Sequence, residues 1–429
     1  MMRKPGMMSF GAVAVVGLAT LTPLGAQEVI DIPGEDRRLG ADFEEVFRIG
    51  SMDGDAWETF GEIAGTAFDE AGNLYLLDRQ ASRITMVDRE GNFVREIGQA
   101  GEGPGEFRSA LAFTAMRDGR LVVADLGHRA YHLFDAGGEF DRMVGMGGGG
   151  TIRIGDLAAD PSGEAVISGG GGTVIAMRGG PGAGPTTPET RPIDRVSLSG
   201  DEVDVTVIAE GWRPARPDNP QTLEGGGMSF RMSMAGPRTF EPNLLVGALP
   251  NGGVVFSDSS AYALKVAGPQ GGVSRILRRP FHPRPVTERM QEAEKERRLS
   301  ELEAGEGPQM RVMVGGPGGG GAQPVSQDAI REMMSGQIDQ MQFYEELPVL
   351  MGVETSWTGK IWAQRRGDQP TDLGPIDVLT AEGQYMGTFE TGVTEIPDSF
   401  GPDGLAAYIE TDEFDVPTIV VRRLPPVLN

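Results

Sequence analysis

The sequence predicts an all-β fold: a six-bladed β-propeller of four-stranded antiparallel blades, with a helical insertion between blades four and five. Three observations lead there. The segment 67–98 recurs at 114–145 with constant spacing. Short apolar runs bounded by Gly- and Asp-containing turns continue through the rest of the chain. The composition, 65 Gly and 30 Pro in 429 residues, suits many tight turns rather than a helical bundle. At 39% hydrophobic residues the chain can still build a core.

The repeat is read residue by residue. Gly72 matches Gly119, Asp78 matches Asp125, Asp88 matches Asp135, Gly91 matches Gly138 and Gly98 matches Gly145. Each offset is the same (125 − 78 = 47), the length of a four-stranded propeller blade. Within one unit, Asp69 to Gly72 predicts a tight turn, with glycine supplying positive φ. Asn73 to Leu77 is apolar on both faces, as a strand covered on both sides must be. A polar connection leads to a strand at Arg83 to Val87, a turn at Asp88 to Gly91 and an outer strand of mixed polarity at Asn92 to Ile97. Fainter copies begin at Asp160, Leu249, Trp357 and Pro402 and bring the count to six units. Glu45 to Ile49 is a spare strand, expected to complete the last blade beside Thr418 to Leu424 and so remove an open sheet edge.

Two stretches depart from the repeat. Residues 146–192 are rich in Gly and Pro, including Gly169 to Gly172 and Gly179 to Pro185, and predict a loose third blade with flexible loops. Residues 280–345 break the pattern. Val286 to Ala304 is charged and helical in composition, Gly315 to Gly321 is a glycine tract, and Gln327 to Tyr344 has helical spacing at Ile330, Met333, Met334, Ile338 and Met341.

At the N-terminus, Arg3 and Lys4 precede an apolar run from Phe10 to Leu21, then Pro23 and small residues up to Ala26. This predicts a signal peptide at 1–26, cleaved near Ala26, and a secreted or periplasmic propeller over 27–429. The apolar run is short for a membrane span, and no later segment reaches spanning length, so no span is expected after cleavage. The 38 basic and 62 acidic side chains give a formal charge of 38 − 62 = −24, which repels nucleic acid and anionic membranes and is compatible with cations or basic partners. With no cysteine, thiol nucleophiles, thiolate metal sites and disulfides are excluded.

The run Asp69-x-x-Gly72-Asn-Leu-Tyr-Leu-Leu-Asp78, with Arg83-Ile84, Val87-Asp88, Gly91 and the G-x-x-G-x-G-P-G-E-F stretch at 98–107, resembles NHL-repeat propellers, more narrowly the exported bacterial six-bladed type. The resemblance is specific over about 63–145 and diffuse elsewhere, and the second repeat departs at Ala130, where the family has Arg. It implies a six-bladed ring around an axial channel and no single function, since such propellers serve as ligand-binding, protein-binding and hydrolytic scaffolds.

Asp78, Asp125 and Asp258 recur at the ends of equivalent strands. Carboxylates there could hold a divalent cation near the channel mouth. They could equally cap turns by accepting backbone N–H bonds, and repetition favours capping. No other cofactor is indicated. His128, His132 and His282 are the only histidines. His128 and His132 are four apart on a loop and strand, not on a helix, and His132 is expected to face solvent. The Gly98–Phe107 stretch lacks the Gly-Lys-Ser/Thr of a phosphate loop and reads as a connector over the ring face. No nucleophile elbow, kinase or dinucleotide signature is present.

Two functions follow. One is a non-catalytic binding module of the cell envelope, taking a protein or small-molecule ligand at the ring face or the 280–345 insertion. The other is a metal-assisted hydrolase or lyase with carboxylates at the axis. Three or more acidic or amide side chains converging on the channel would favour the enzyme, and an apolar, glycine-lined axis the module.

Overall fold

Six antiparallel meanders follow one another along the chain of the computed structural model. It describes residues 27–429 except 53, 148–150, 177–189, 216–219, 226–227, 234–236, 305–312, 315–322, 325–326 and 412–415. The expected signal peptide at 1–26 and the glycine tracts at 179–185 and 315–321 therefore lie outside, or almost wholly outside, the described residues.

Blade 1 comprises Ile63–Phe68, Leu74–Asp78, Arg83–Val87 and Phe93–Ile97; blade 2 comprises Ala110–Ala115, Leu121–Asp125, Ala130–Phe134 and Phe140–Gly145. Blade 3 runs from Thr151 to Trp212, blade 4 from Leu245 to Arg278 and blade 5 from Leu350 to Phe389. Blade 6 takes three strands from the C-terminus, Ser399–Phe400, Leu405–Thr411 and Pro417–Arg423, and its fourth from Glu44–Ile49. That last pairing is antiparallel, with Glu44 opposite Arg423 and Ile49 opposite Ile419. The spare N-terminal strand thus closes the ring.

The second strand of each blade explains why the sheets stack. Leu74–Asp78 and Leu121–Asp125 are buried at every residue. Apolar side chains on both faces of such a strand need cover from both neighbouring blades. The core is accordingly divided into clusters, each shared by two blades: Tyr75 and Leu77 pack with Phe113 and Val123, Leu264 with Ile361, and Leu76 with Leu405 and Val421. The turn glycines match this reading, since Gly72 and Gly119 both have φ of 87°, a value costly for any residue with a Cβ.

The third blade is a four-stranded sheet that is irregular where its glycines fall, and the loops expected there lie largely outside the described residues. Gly169 to Gly172 lie within one long strand, Ala165–Ala176, paired with Thr151–Ala159. The register shifts between Ile154 and Asp156, so Gly170 to Gly172 fall in a bulge of the strand, a position that suits glycine.

The chain between residues 28 and 49 does more than close the ring. Glu28–Asp31 adds a parallel fifth strand to the outer edge of blade 4, which the sequence reading did not foresee. Asp36 then accepts hydrogen bonds from Arg279 (3.0 Å) and Arg365 (2.6 Å). Arg279 and Asp377, both with fully buried side chains, pair at 2.8 Å, linking blades 4 and 5. The Arg279 guanidinium lies 4.6 Å from the centre of the Tyr385 ring and that of Arg365 lies 4.3 Å from that of Phe281.

The insertion lies between blades 4 and 5 and begins and ends at one short pairing, Arg284–Pro285 with Glu346–Leu347. It holds helix α1 (Glu288–Ala304) and helix α2 (Gln327–Asp339), tied by Lys295 Nζ donating to the Asp339 carbonyl at 2.9 Å. Of the apolar stripe on α2, Ile338 is buried and Met334 is half-buried, as is Met341 just beyond the helix; the side chains of Ile330 and Met333 lie outside the described residues. No helix among the described residues is long and apolar enough to cross a membrane.

Replacing Asp377 with Ala leaves the buried Arg279 guanidinium with Asp36 as its acidic partner and the Pro33 and Glu35 carbonyls as acceptors. Breaking a buried pair from one side costs about 3–5 kcal/mol, and the remaining Asp36 partner places this case at the low end. Urea unfolding should show that loss, and an unchanged midpoint would refute the linking role of the pair.

Candidate functional site

The innermost strands of all six blades wall a cavity of about 640 Å³ on the ring axis. Most of the wall is apolar or glycine: Ala64, Gly65, Leu111, Ala112, Val246 and Gly352 are typical. Four of these strands carry a register irregularity, at the strand start in blades 1, 2 and 5 and in mid-strand in blade 3. Such bulges turn side chains away from strict alternation. At the turn end of the cavity, the Arg117 guanidinium of blade 2 lies 4.7 Å from the centre of the Trp357 ring of blade 5. Blades 2 and 5 stand opposite each other, so this cation–π pair spans the ring.

Four carboxylates interrupt the wall: Asp156 on blade 3, Glu354 on blade 5, and Glu395 and Asp398 just before the first strand of blade 6. Asp156, Glu354 and Asp398 are exposed side chains that open onto the cavity. Loss of hydration pushes the Glu354 carboxyl up to about 8, and the charges of Asp156 and Asp398 raise it further than burial alone. Burial pushes Asp398 up to about 6, against a backbone N–H bond from Ile409 at 2.6 Å that favours its charged form. Asp156 is raised by burial as well. Across the same space, the hydroxyls of Thr66 and Ser399 are bonded at 2.5 Å, joining blades 1 and 6.

None of these acids was singled out in the sequence. They sit in the faint repeats, on strands where blades 1, 2 and 4 carry Ala, Gly or Leu at neighbouring positions. Only the ring brings them to one cavity. They do not converge on one point, because their oxygens are not all within 4.8 Å of one another.

Asp78, Asp125 and Asp258 lie elsewhere, each in its own blade and outside the wall of the cavity. Asp78 accepts backbone N–H bonds from Gly61, Glu62 and Ala81 at 3.0–3.2 Å. Asp125 accepts them from Arg108, Ser109 and His128 at 2.8–3.1 Å, the same three positions shifted by 47 residues. Asp258 accepts the Trp212 N–H at 2.7 Å and the Lys265 ammonium at 2.7 Å. Asp78 and Asp125 thus hold the connection into the first strand against the end of the second, whereas Asp258 ties the second strand of blade 4 to the last strand of blade 3.

His132 does not face solvent. It is fully buried among Phe107, Phe140 and His128, with ring centres 6.0, 5.9 and 4.9 Å away. The cause is the 98–109 connector, which folds back so that Phe107 covers the third strand of blade 2. Burial holds the His132 imidazole below its usual value. Among the described residues, Asp125, His128 and His132 form the only trio of His and acidic groups whose ligating atoms all lie within 4.8 Å of one another.

Residues 60–142 match the family whose description is "6-bladed beta-propeller". No curated protein matches the chain. Among solved structures, a putative exported protein from Bacteroides fragilis is 10% identical, with 92% of this chain and 99% of that one covered at a TM-score of 0.46. A member of the duf4221 family from Bacteroides vulgatus is 10% identical, covering 91% and 98% at a TM-score of 0.49. A catalytically inactive virginiamycin B lyase from Staphylococcus aureus, solved with quinupristin, is 11% identical, covering 88% and 99% at a TM-score of 0.38.

The raised carboxyls predict a pH dependence of stability. The folded protein keeps the Glu354 proton up to about 8, whereas an unfolded chain releases it near 4.5. Between those values the folded state binds more protons, so this contribution to stability is full below the lower value and is lost as pH rises through the upper one. Asp398 acts likewise between 3.8 and about 6. The melting temperature should therefore fall from about pH 5 to about pH 9, and Glu354→Gln should flatten the upper part of that fall. An unaltered profile in the variant would show that Glu354 is ordinarily hydrated.

Proposed function

We propose that the protein is an exported, non-catalytic binding module whose axial cavity takes a small organic cation. The observation that carries this reading is the group of acids Asp156, Glu354, Glu395 and Asp398 in a cavity of about 640 Å³ whose other wall residues are mostly apolar or glycine. Apolar walls with a few placed polar groups are the usual make-up of a small-molecule site. An ammonium or guanidinium group entering the cavity would draw the protons off Glu354 and Asp398 and relieve their mutual repulsion. The wall supplies one cation, Arg117, and it is already engaged with Trp357. The net charge of −24 adds a long-range attraction for such a ligand.

Export is supported by the Arg3 and Lys4 pair ahead of the apolar run at 10–21. The ring face and the 280–345 insertion remain the proposed contact surfaces for a protein partner. The spread of the axial acids beyond a common 4.8 Å sphere is why a cation of extended shape is preferred to a single metal ion acting in hydrolysis or elimination there.

Calorimetric titration with 1,4-diaminobutane, arginine and choline tests the reading. One of them should bind at a single site, more tightly as pH rises from about 6 to about 8, with proton uptake by the buffer and weakening by salt. Glu354→Gln should weaken that binding at least tenfold. Absence of binding by all three at low salt and alkaline pH, or full affinity in the variant, would overturn it.

A further inference from the structure

Blades 1, 2 and 4 place a buried aspartate at one equivalent position, and comparing what packs against it separates blade 2 from the others. Three residues after the aspartate stand Ala81, His128 and Ala261; seven residues after it stand Thr85, His132 and Lys265. In blade 1 the neighbours are uncharged. In blade 4 the Lys265 ammonium sits 2.7 Å from Asp258 Oδ2, so the fold already seats one positive charge beside this carboxylate. In blade 2 two imidazoles take those places.

Asp125 has a lone-pair direction to spare. Its Oδ1 accepts from Ser109 and His128 backbone N–H groups and its Oδ2 from that of Arg108. A carboxylate offers about four acceptor directions, which leaves one on Oδ2. His128 Nδ1 lies 3.2 Å from that oxygen without the alignment of a hydrogen bond. His132 is 0% exposed, and neither of its ring nitrogens has a hydrogen-bond partner. A buried imidazole left so is destabilising. The ligating atoms of all three side chains lie within 4.8 Å of one another, close to the spacing of ligands around one small ion.

We propose that Asp125, His128 and His132 form a divalent metal site of the zinc class in blade 2, separate from the axial cavity. Two imidazoles and one carboxylate suit zinc, cobalt or nickel, whereas calcium and magnesium favour all-oxygen sets. An ion there does for Asp125 what Lys265 does for Asp258, and gives the His132 nitrogen a partner. The Asp125 carboxylate is fixed by three backbone groups, so one ligand is oriented before any ion arrives. Three protein ligands leave a fourth position for water or an added ligand. The His128 side chain, 11% exposed, marks the side from which an ion enters.

Cobalt titration of the chelator-treated protein tests this. Visible absorption of tetrahedral type should saturate at a single equivalent and be abolished by zinc, and zinc should raise the melting temperature by mass action. His128→Gln and His132→Gln should each weaken binding more than about 100-fold, beyond the 10–100-fold typical of an outer-shell loss. His282→Gln, at the exposed third histidine, should change nothing. Because Asp125 also holds the blade together, its substitution is not the deciding variant. His132→Leu is: without metal it should be at least as stable as wild type, having lost a buried unpaired imidazole, and zinc should no longer raise its melting temperature. No saturation at one equivalent, wild-type affinity in either Gln variant, or a metal-free destabilisation of His132→Leu would overturn the site.

Discussion

Closure of the ring depends on one antiparallel pairing, Glu44–Ile49 beside Pro417–Arg423. Each blade buries its second strand only because a neighbour stands on either side, so an open ring would expose Leu74 and Leu76 on one flank and Leu405, Val421 and Ile419 on the other. The same N-terminal segment also lends a strand to blade 4 and places Asp36 between Arg279 and Arg365. Chain ends distant in sequence thereby hold blades 4, 5 and 6 in one arrangement. The axial cavity exists only as a consequence, since no blade alone encloses any space.

Within that ring, the recurring aspartate shows how a structural device and a functional one can share a residue. Asp78 and Asp125 accept the same three backbone N–H groups, 47 residues apart. The capping accounts for the repeat. What it does not account for is the pair of imidazoles that blade 2 alone packs against its aspartate, and a departure from internal symmetry of this kind is what a binding site requires.

Charge links the two proposed sites without joining them. The axial acids are spread around an apolar wall and disturb one another across it, which suits a ligand able to reach more than one carboxylate. The blade 2 group is compact and holds nitrogen ligands, which suits a single small ion. Neither arrangement follows from the overall charge of −24, which only sets the sign of what approaches. The Arg117–Trp357 pair lies across one end of the cavity.

The sequence alone determined the architecture. A blade is a local object, and its turns, its doubly apolar second strand and its capping aspartate all lie within about 47 residues, so spacing reveals them. It also determined the insertion and its two helices, through helical spacing and composition. The tertiary structure decided the rest. The parallel strand Glu28–Asp31 has no periodic signature of its own; its partner lies some 247 residues away. His132 alternates like an outward-facing residue, and only the fold-back of Phe107 buries it. Asp156, Glu354 and Asp398 belong to three different blades, and residues 242 apart in sequence share a cavity solely because the ring returns to its own axis (398 − 156 = 242). Local pattern carries what one unit needs to fold, whereas a site assembled between units is specified by closure, and closure leaves no periodic trace in the sequence.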